Sequence, residues 1–243
     1  RFLYLAFALF ASFAGQVFSA PLDLPPNTWV KLSPLTNTPP SPRLGYEGAC
    51  VWDSRHRTFI RYGGHNQGGG GEQHSELWTF DPLTAKWALH EVNIQPPGIC
   101  CGQQNVFDPT QGRYLRFPSF SGSHGWQWWR EIYLNDSSVW SYDLAENKWR
   151  NLRPFPTPTP KPLRCAAWDS TANVVVLFGG ETSNDGTVVY DPWRNAWTFK
   201  KPSPQPEFRS GGNMAYDEAR ELHVLFGSQF TGDTMHEWSE RGA

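Results

Sequence analysis

Short apolar runs of four to six residues, separated by clusters of turn-forming residues, recur along most of the chain. One set reads Thr58-Phe59-Ile60-Arg61-Tyr62, Tyr114-Leu115-Arg116-Phe117, Val174-Val175-Val176-Leu177-Phe178 and Leu222-His223-Val224-Leu225-Phe226. Runs of this length, rich in β-branched and aromatic residues, predict strands. The Val-rich third copy reads as buried on both faces. Each is preceded by a run ending in Asp: Cys50-Val51-Trp52-Asp53, Asn105-Val106-Phe107-Asp108, Ala166-Ala167-Trp168-Asp169 and Met214-Ala215-Tyr216-Asp217. These Asp residues stand 55, 61 and 48 positions apart and open tight turns. Third strands are predicted at 76–80, 138–142 and 187–190, and fourth strands at 86–89, 148–152 and 196–199. The two are joined by an aromatic residue, Asp, and a Trp six residues after that Asp: Phe80-Asp81 to Trp87, Tyr142-Asp143 to Trp149, Tyr190-Asp191 to Trp197. A unit recurring near every fiftieth residue predicts a repeat architecture.

Four antiparallel strands per unit at this period describe a β-propeller blade, and the fold class is all-β. With its Gly-Gly doublets at 63–64 and 179–180, its aromatic-Asp pairs and its spaced Trp residues, the chain resembles the kelch-repeat family across about residues 27–243. The central propeller domain of galactose oxidase is of this type. The resemblance implies blades at about 43–92, 98–153 and 163–200, and a truncated one at 208–243. That makes about three and a half blades in an incomplete ring, with further C-terminal blades needed to close it. Two departures stand out. The second unit has Ser121-Gly122 in place of a Gly doublet, and the fourth stops at or just after its third strand. Asn27-Thr28-Trp29-Val30-Lys31-Leu32 resembles a fourth strand without a blade, which the family pattern would use to close the ring.

Composition adds three constraints. Thirteen Trp, 16 Phe and 8 Tyr with 22 Gly and 21 Pro among 243 residues fit an all-β chain. A formal charge of −2 gives no basic footprint for nucleic acid. Arg1, the apolar run 2–13 and Val17-Phe18-Ser19-Ala20 read as a signal peptide over 1–19, followed by a linker at 20–26. The chain is therefore expected to be secreted or periplasmic, with no membrane attachment after cleavage; an uncleaved anchor is the other reading of this run. Cys50, Cys100, Cys101 and Cys165 allow three disulfide pairings, or stand as buried free thiols.

A four-strand meander sorts its connections between two ends of the sheet. First-to-second and third-to-fourth turns lie at one end, second-to-third loops and inter-blade connectors at the other. The first group is short and uniform, the second long and irregular, and long loops on a rigid scaffold are where sites collect. The candidate ligand-binding residues of that loop face are Arg43, His65, Asn66, His124, Trp126, Trp128, Arg164, Glu181 and Arg209. Guanidinium forks suit carboxylates and other planar anions, although Arg43, Arg164 and Arg209 equally suit structural ties between blades. Trp126 and Trp128, with Trp129 and Tyr133, suit stacking on a sugar or a protein, or burial within their own loop. His65, His74 and His124 match no metal-ligand spacing, so no metal is expected. Gly68-Gly69-Gly70-Gly71 lacks the Lys of a phosphate loop.

No nucleophile or acid–base constellation is visible, and the expected activity is binding of a carbohydrate or protein ligand, without cofactor. The alternative is an enzyme, either a copper-radical oxidase like galactose oxidase or a sugar epimerase or lyase, with its remaining site residues in further blades. No Tyr-His pair carries the copper motif here. A structural role in an envelope or matrix assembly is a third reading.

Overall fold

Each short strand-to-strand turn at one end of the described sheets is built on the same local device. In the computed structural model, which describes residues 26–27, 29, 49–63, 76–96, 104–117, 139–156, 164–180, 186–207, 209–227 and 230–231, a strand ends in Asp. The Asp carboxylate accepts backbone N–H groups two or three residues on. Asp53 binds Arg55 and His56, Asp108 binds Thr110 and Gln111, Asp169 binds Thr171 and Ala172, and Asp191 binds Trp193 and Arg194. Asp81, Asp143 and Asp217 do the same with Leu83, Glu146 and Arg220. Four residues after every one of these Asp residues the chain turns left-handed, with φ between 48° and 67° at Arg57, Ala85, Gly112, Asn147, Asn173, Asn195 and Glu221. The side-chain bonds fix the turn and the left-handed residue returns the chain to the sheet. Gly112 is the glycine of the set, at φ 67°; beside it the Arg55 guanidinium donates to the Gln111 carbonyl at 3.4 Å.

The strands pair as antiparallel meanders. The first sheet is β1 (Ala49–Asp53), β2 (Thr58–Tyr62), β3 (Leu77–Asp81) and β4 (Lys86–His90). The second is β5 (Asn105–Asp108), β6 (Arg113–Arg116), β7 (Trp140–Asp143) and β8 (Lys148–Asn151). The third is β9 (Arg164–Asp169), β10 (Val174–Gly179), β11 (Thr187–Asp191) and β12 (Ala196–Lys200). In the fourth unit β14 (Asn213–Asp217) pairs with β15 (Leu222–Phe226), and β13 (Arg209–Ser210) pairs with β16 (Phe230–Thr231). The first strands lie beside one another, β1 against β5, β5 against β9 and β9 against β14, so they form the inner wall of a partial propeller. The all-β, four-strand expectation holds for three units. Trp29 is fully exposed and outside any strand; most of segment 27–32 lies outside the described residues.

Residues directly opposite in a ladder share a face, so the register divides each sheet into an upstream and a downstream side. Ile60, Tyr62 and Leu77, on the downstream side of the first sheet, form one core with Tyr114, Tyr142 and Trp149 on the upstream side of the second. Val106, Leu115, Phe117 and Val139 form the next core with Val175, Leu177, Val188, Tyr190 and Trp197. The repeated Trp is the key of both contacts. The ring centroid of Trp149 lies 5.0 Å from Tyr62 and 5.6 Å from Tyr114. Phe117 sits 5.5 Å from Tyr190 and 5.7 Å from Trp197.

A polar clasp accompanies each of these cores. Tyr142 donates to Asn147 Oδ1 at 2.7 Å, and the Asn147 amide donates to the Glu91 carbonyl at 2.9 Å. Tyr190 donates to Asn195 Oδ1 at 2.8 Å, and Asn195 to the Leu152 carbonyl at 2.6 Å. One Asn thus serves as left-handed turn residue, as acceptor for its own sheet and as donor to the chain leaving the previous sheet. The first unit has Phe80 and Ala85 at these positions: neither can make the clasp. Cys50 and Cys165 are not bonded to each other, and only Cys165 is buried while Cys50 is exposed at the sheet; Cys100 and Cys101 lie outside the described residues.

Candidate functional site

First strands begin, and second strands end, at the loop face. Arg164 opens β9 opposite Gly179 and is buried. Arg209 opens β13 opposite Thr231, and β13 packs against β9 and β10. The backbone of these two predicted site residues therefore converges at the inner edge of the third and fourth sheets. Arg43, His65, Asn66, His124, Trp126, Trp128 and Glu181 lie outside the described residues, as does the proposed signal segment.

Two further arginines belong to the same end of the sheets. Arg61 and Arg116 occupy equivalent positions, the fourth residue of β2 and of β6. Each stands between an inner-strand residue and a Trp: Cys50 and Trp78 flank Arg61, Asn105 and Trp140 flank Arg116. In the third sheet this row is Ala166, Leu177 and Val188, wholly apolar. Arg116 is fully buried and faces the first sheet. The signal lies in the strand pattern itself, where Arg interrupts an apolar run at the same position in Arg61 and Arg116.

The environment of these groups restricts their chemistry. Burial lowers the pKa of Arg61, while the neighbouring Cys50 and Glu76 act to raise it. Glu76 accepts a hydrogen bond from the Trp78 indole at 2.9 Å. Burial raises the Cys50 thiol above its ordinary range, with Arg61 pulling it down; a thiol held protonated is a poor nucleophile. Tyr114 is fully buried, and burial foremost raises its pKa well above the usual phenol value. Among the described residues its hydroxyl finds no hydrogen-bond partner. Tyr62 beside it donates to the Pro96 carbonyl at 2.6 Å. Arg116, Tyr114 and Tyr62 are thus fully buried, Tyr62 with its hydroxyl engaged by Pro96, and among the described residues these groups form no paired acid and base. Among the described residues no cluster of three His, Cys, Asp or Glu is placed to hold a metal ion.

One titratable group makes the outer strand pH-sensitive. His90 at the end of β4 lies 2.8 Å from the Thr79 hydroxyl, and burial lowers its pKa from the ordinary 6.5. With the folded value below the unfolded one, the unfolded chain binds the proton first as pH falls. Stability present above 6.5 is lost as pH drops through that value toward the folded pKa. His90→Gln should therefore flatten the denaturation midpoint between about pH 7 and about pH 5, read by urea melts; an unchanged slope would exclude His90 as a source of it.

Neither a protein-family model nor a curated protein sequence matches the chain. The solved structure of YjhT is similar to it, with a TM-score of 0.50 and 13% sequence identity over 72% of this chain and 57% of that one. The chain spans a little over half the length of that protein. What the two share is the fold, the four-stranded antiparallel sheets of a kelch-type propeller.

Proposed function

We propose that this chain forms part of an exported propeller that binds a carbohydrate or protein ligand through its loop face. The observation that carries this reading is the contrast between the two ends of the sheets. At one end, all seven Asp-led turns close on themselves through their own carboxylates. At the other, the second-to-third loops of the three four-stranded sheets run from seven residues between β10 and β11 to 23 between β6 and β7. Variable segments on a repetitive scaffold are the usual seat of recognition. The longest of them contains Trp126 and Trp128, and Arg164 opens a strand of the inner wall beneath the loop face.

The test uses protein recovered from the growth medium, whose N-terminus should be Ala20. It is applied to a glycan array and to cross-linking capture of medium proteins. The Trp126→Ala, Trp128→Ala double variant should weaken the recovered interaction by roughly tenfold or more, as removal of aromatic anchors does, with the far-UV spectrum unchanged. A binding profile identical in the double variant, or no ligand by either route, would overturn the proposal.

A further inference from the structure

The Asp-led turns differ in how they serve the second carboxylate oxygen. Asp53 Oδ2 meets His56 Nδ1 at 2.7 Å, and Asp81 Oδ2 accepts the Thr84 hydroxyl at 2.8 Å. Arg194 and Arg220 hold Asp191 Oδ2 and Asp217 Oδ2 at 3.1 and 2.6 Å. Each time the partner is the third residue after the Asp. Asp143 and Asp169 are only partly buried. Asp108 is fully buried. Its Oδ1 is saturated by the Thr110 N–H, the Thr110 hydroxyl and the Gln111 N–H, at 2.9, 2.6 and 3.1 Å. Its Oδ2 has no hydrogen-bond partner among the described residues. The third residue after it is Gln111, whose side-chain nitrogen is buried and likewise without a partner. Arg113 Nε, also buried and without a hydrogen bond, stands 3.6 Å from Asp108 Oδ2, an ion pair beyond hydrogen-bond reach. Arg113 Nη2 crosses to the third sheet and donates to the Pro192 carbonyl at 3.3 Å.

We propose that the base of the junction between the second and third sheets is an internal hydration site, where one water donates to Asp108 Oδ2 and accepts from Arg113 Nε and the Gln111 amide. A charged oxygen without a hydrogen bond is among the costliest groups to bury, so it demands a partner. The chemistry of the three groups selects that partner. Two N–H donors beside one carboxylate oxygen call for a molecule that both accepts and donates. A cation would face the two donors, and an anion would face the carboxylate. Water makes three bonds here, the usual number for a buried one. Atoms 3.6 Å apart can both be reached by a single oxygen at an ordinary length of about 2.9 Å from each. Through Arg113 this water joins the Asp-led turn of one sheet to the chain of the next. The site lies at the turn end of the sheets, so it stands whether or not the loop face binds a ligand.

A crystal structure of the full chain, at a resolution that orders solvent, tests this directly. A peak should stand about 2.7–3.1 Å from both Asp108 Oδ2 and Arg113 Nε. No peak there, or Asp108 and Arg113 closed to a direct hydrogen bond, would overturn the proposal. So would a peak about 2.3–2.6 Å from Asp108 Oδ2, the length of a cation–oxygen bond. In solution the first unit supplies the control, because its His56 serves Asp53 Oδ2 from the same turn position. Gln111→His should bring an imidazole onto Asp108 Oδ2 and displace the water, leaving the urea midpoint equal to or above that of the parent chain. Gln111→Leu removes the donor, keeps the backbone bond to Oδ1 and should lower the midpoint. The reverse order of the two variants would count against the site as firmly as a missing peak.

Discussion

Trp149→Ala is expected to destabilise the protein by about 3–5 kcal/mol, the range for deleting a fully packed aromatic, while Trp87→Ala at the same repeat position costs clearly less. The sequence alone makes these two residues equivalent. Their surroundings differ: Trp149 is 3% exposed and touches Tyr62, Tyr114 and Tyr142, whereas Trp87 is half-buried and packs at a tilt against Phe80. Removing Trp149 opens a cavity shared by two sheets, and each tyrosine around it loses contact on one side. Removing Trp87 strips one edge of one sheet. Urea melts of the two variants give both values on one scale. Equal losses would mean that Trp149 does not join the sheets energetically.

Asn195→Ala should cost about 2–4 kcal/mol. Two hydrogen bonds disappear, each worth about 1 kcal/mol, and the buried Tyr190 hydroxyl loses its acceptor. An alanine must also hold a left-handed φ at a cost of roughly 1–2 kcal/mol. Asn195→Gly separates these causes, because glycine adopts that φ freely while still lacking the amide. It should recover about 1 kcal/mol of the loss and no more. A Tyr190→Phe, Asn195→Gly cycle then measures the coupling between the two side chains. Additive losses would show that the clasp is a coincidence of position.

The strand pairs, the Asp-led turns and the Trp spacing were legible because they are local. An Asp and the Trp six residues on lie within one hairpin, whereas the left-handed residue four after each Asp, which is Arg57, Ala85 or Glu221 in some copies, carries no mark of its own. The clasp was not legible in the same way. Its acceptors, the carbonyls of Glu91 and Leu152, come from other units 56 and 43 residues away, and a backbone oxygen leaves no mark in sequence. Arg116 escaped notice for a related reason. An Arg in an alternating run reads as a solvent-facing position, yet the neighbouring sheet covers it completely. Arg164, by contrast, was found because it stands at the border of a strand, where a charged residue draws attention.

The Asp-led turns also bear on how this protein can vary. Because each turn is satisfied by its own carboxylate and backbone, the strands it joins keep their register whatever happens at the far end of the sheet. Lengthening a loop from the seven residues between β10 and β11 to the 23 between β6 and β7 costs only about 1 kcal/mol in closure entropy. Insertions and deletions are thus inexpensive at one end of every sheet and disruptive at the other, and the scaffold channels sequence drift toward the surface where new specificities can arise.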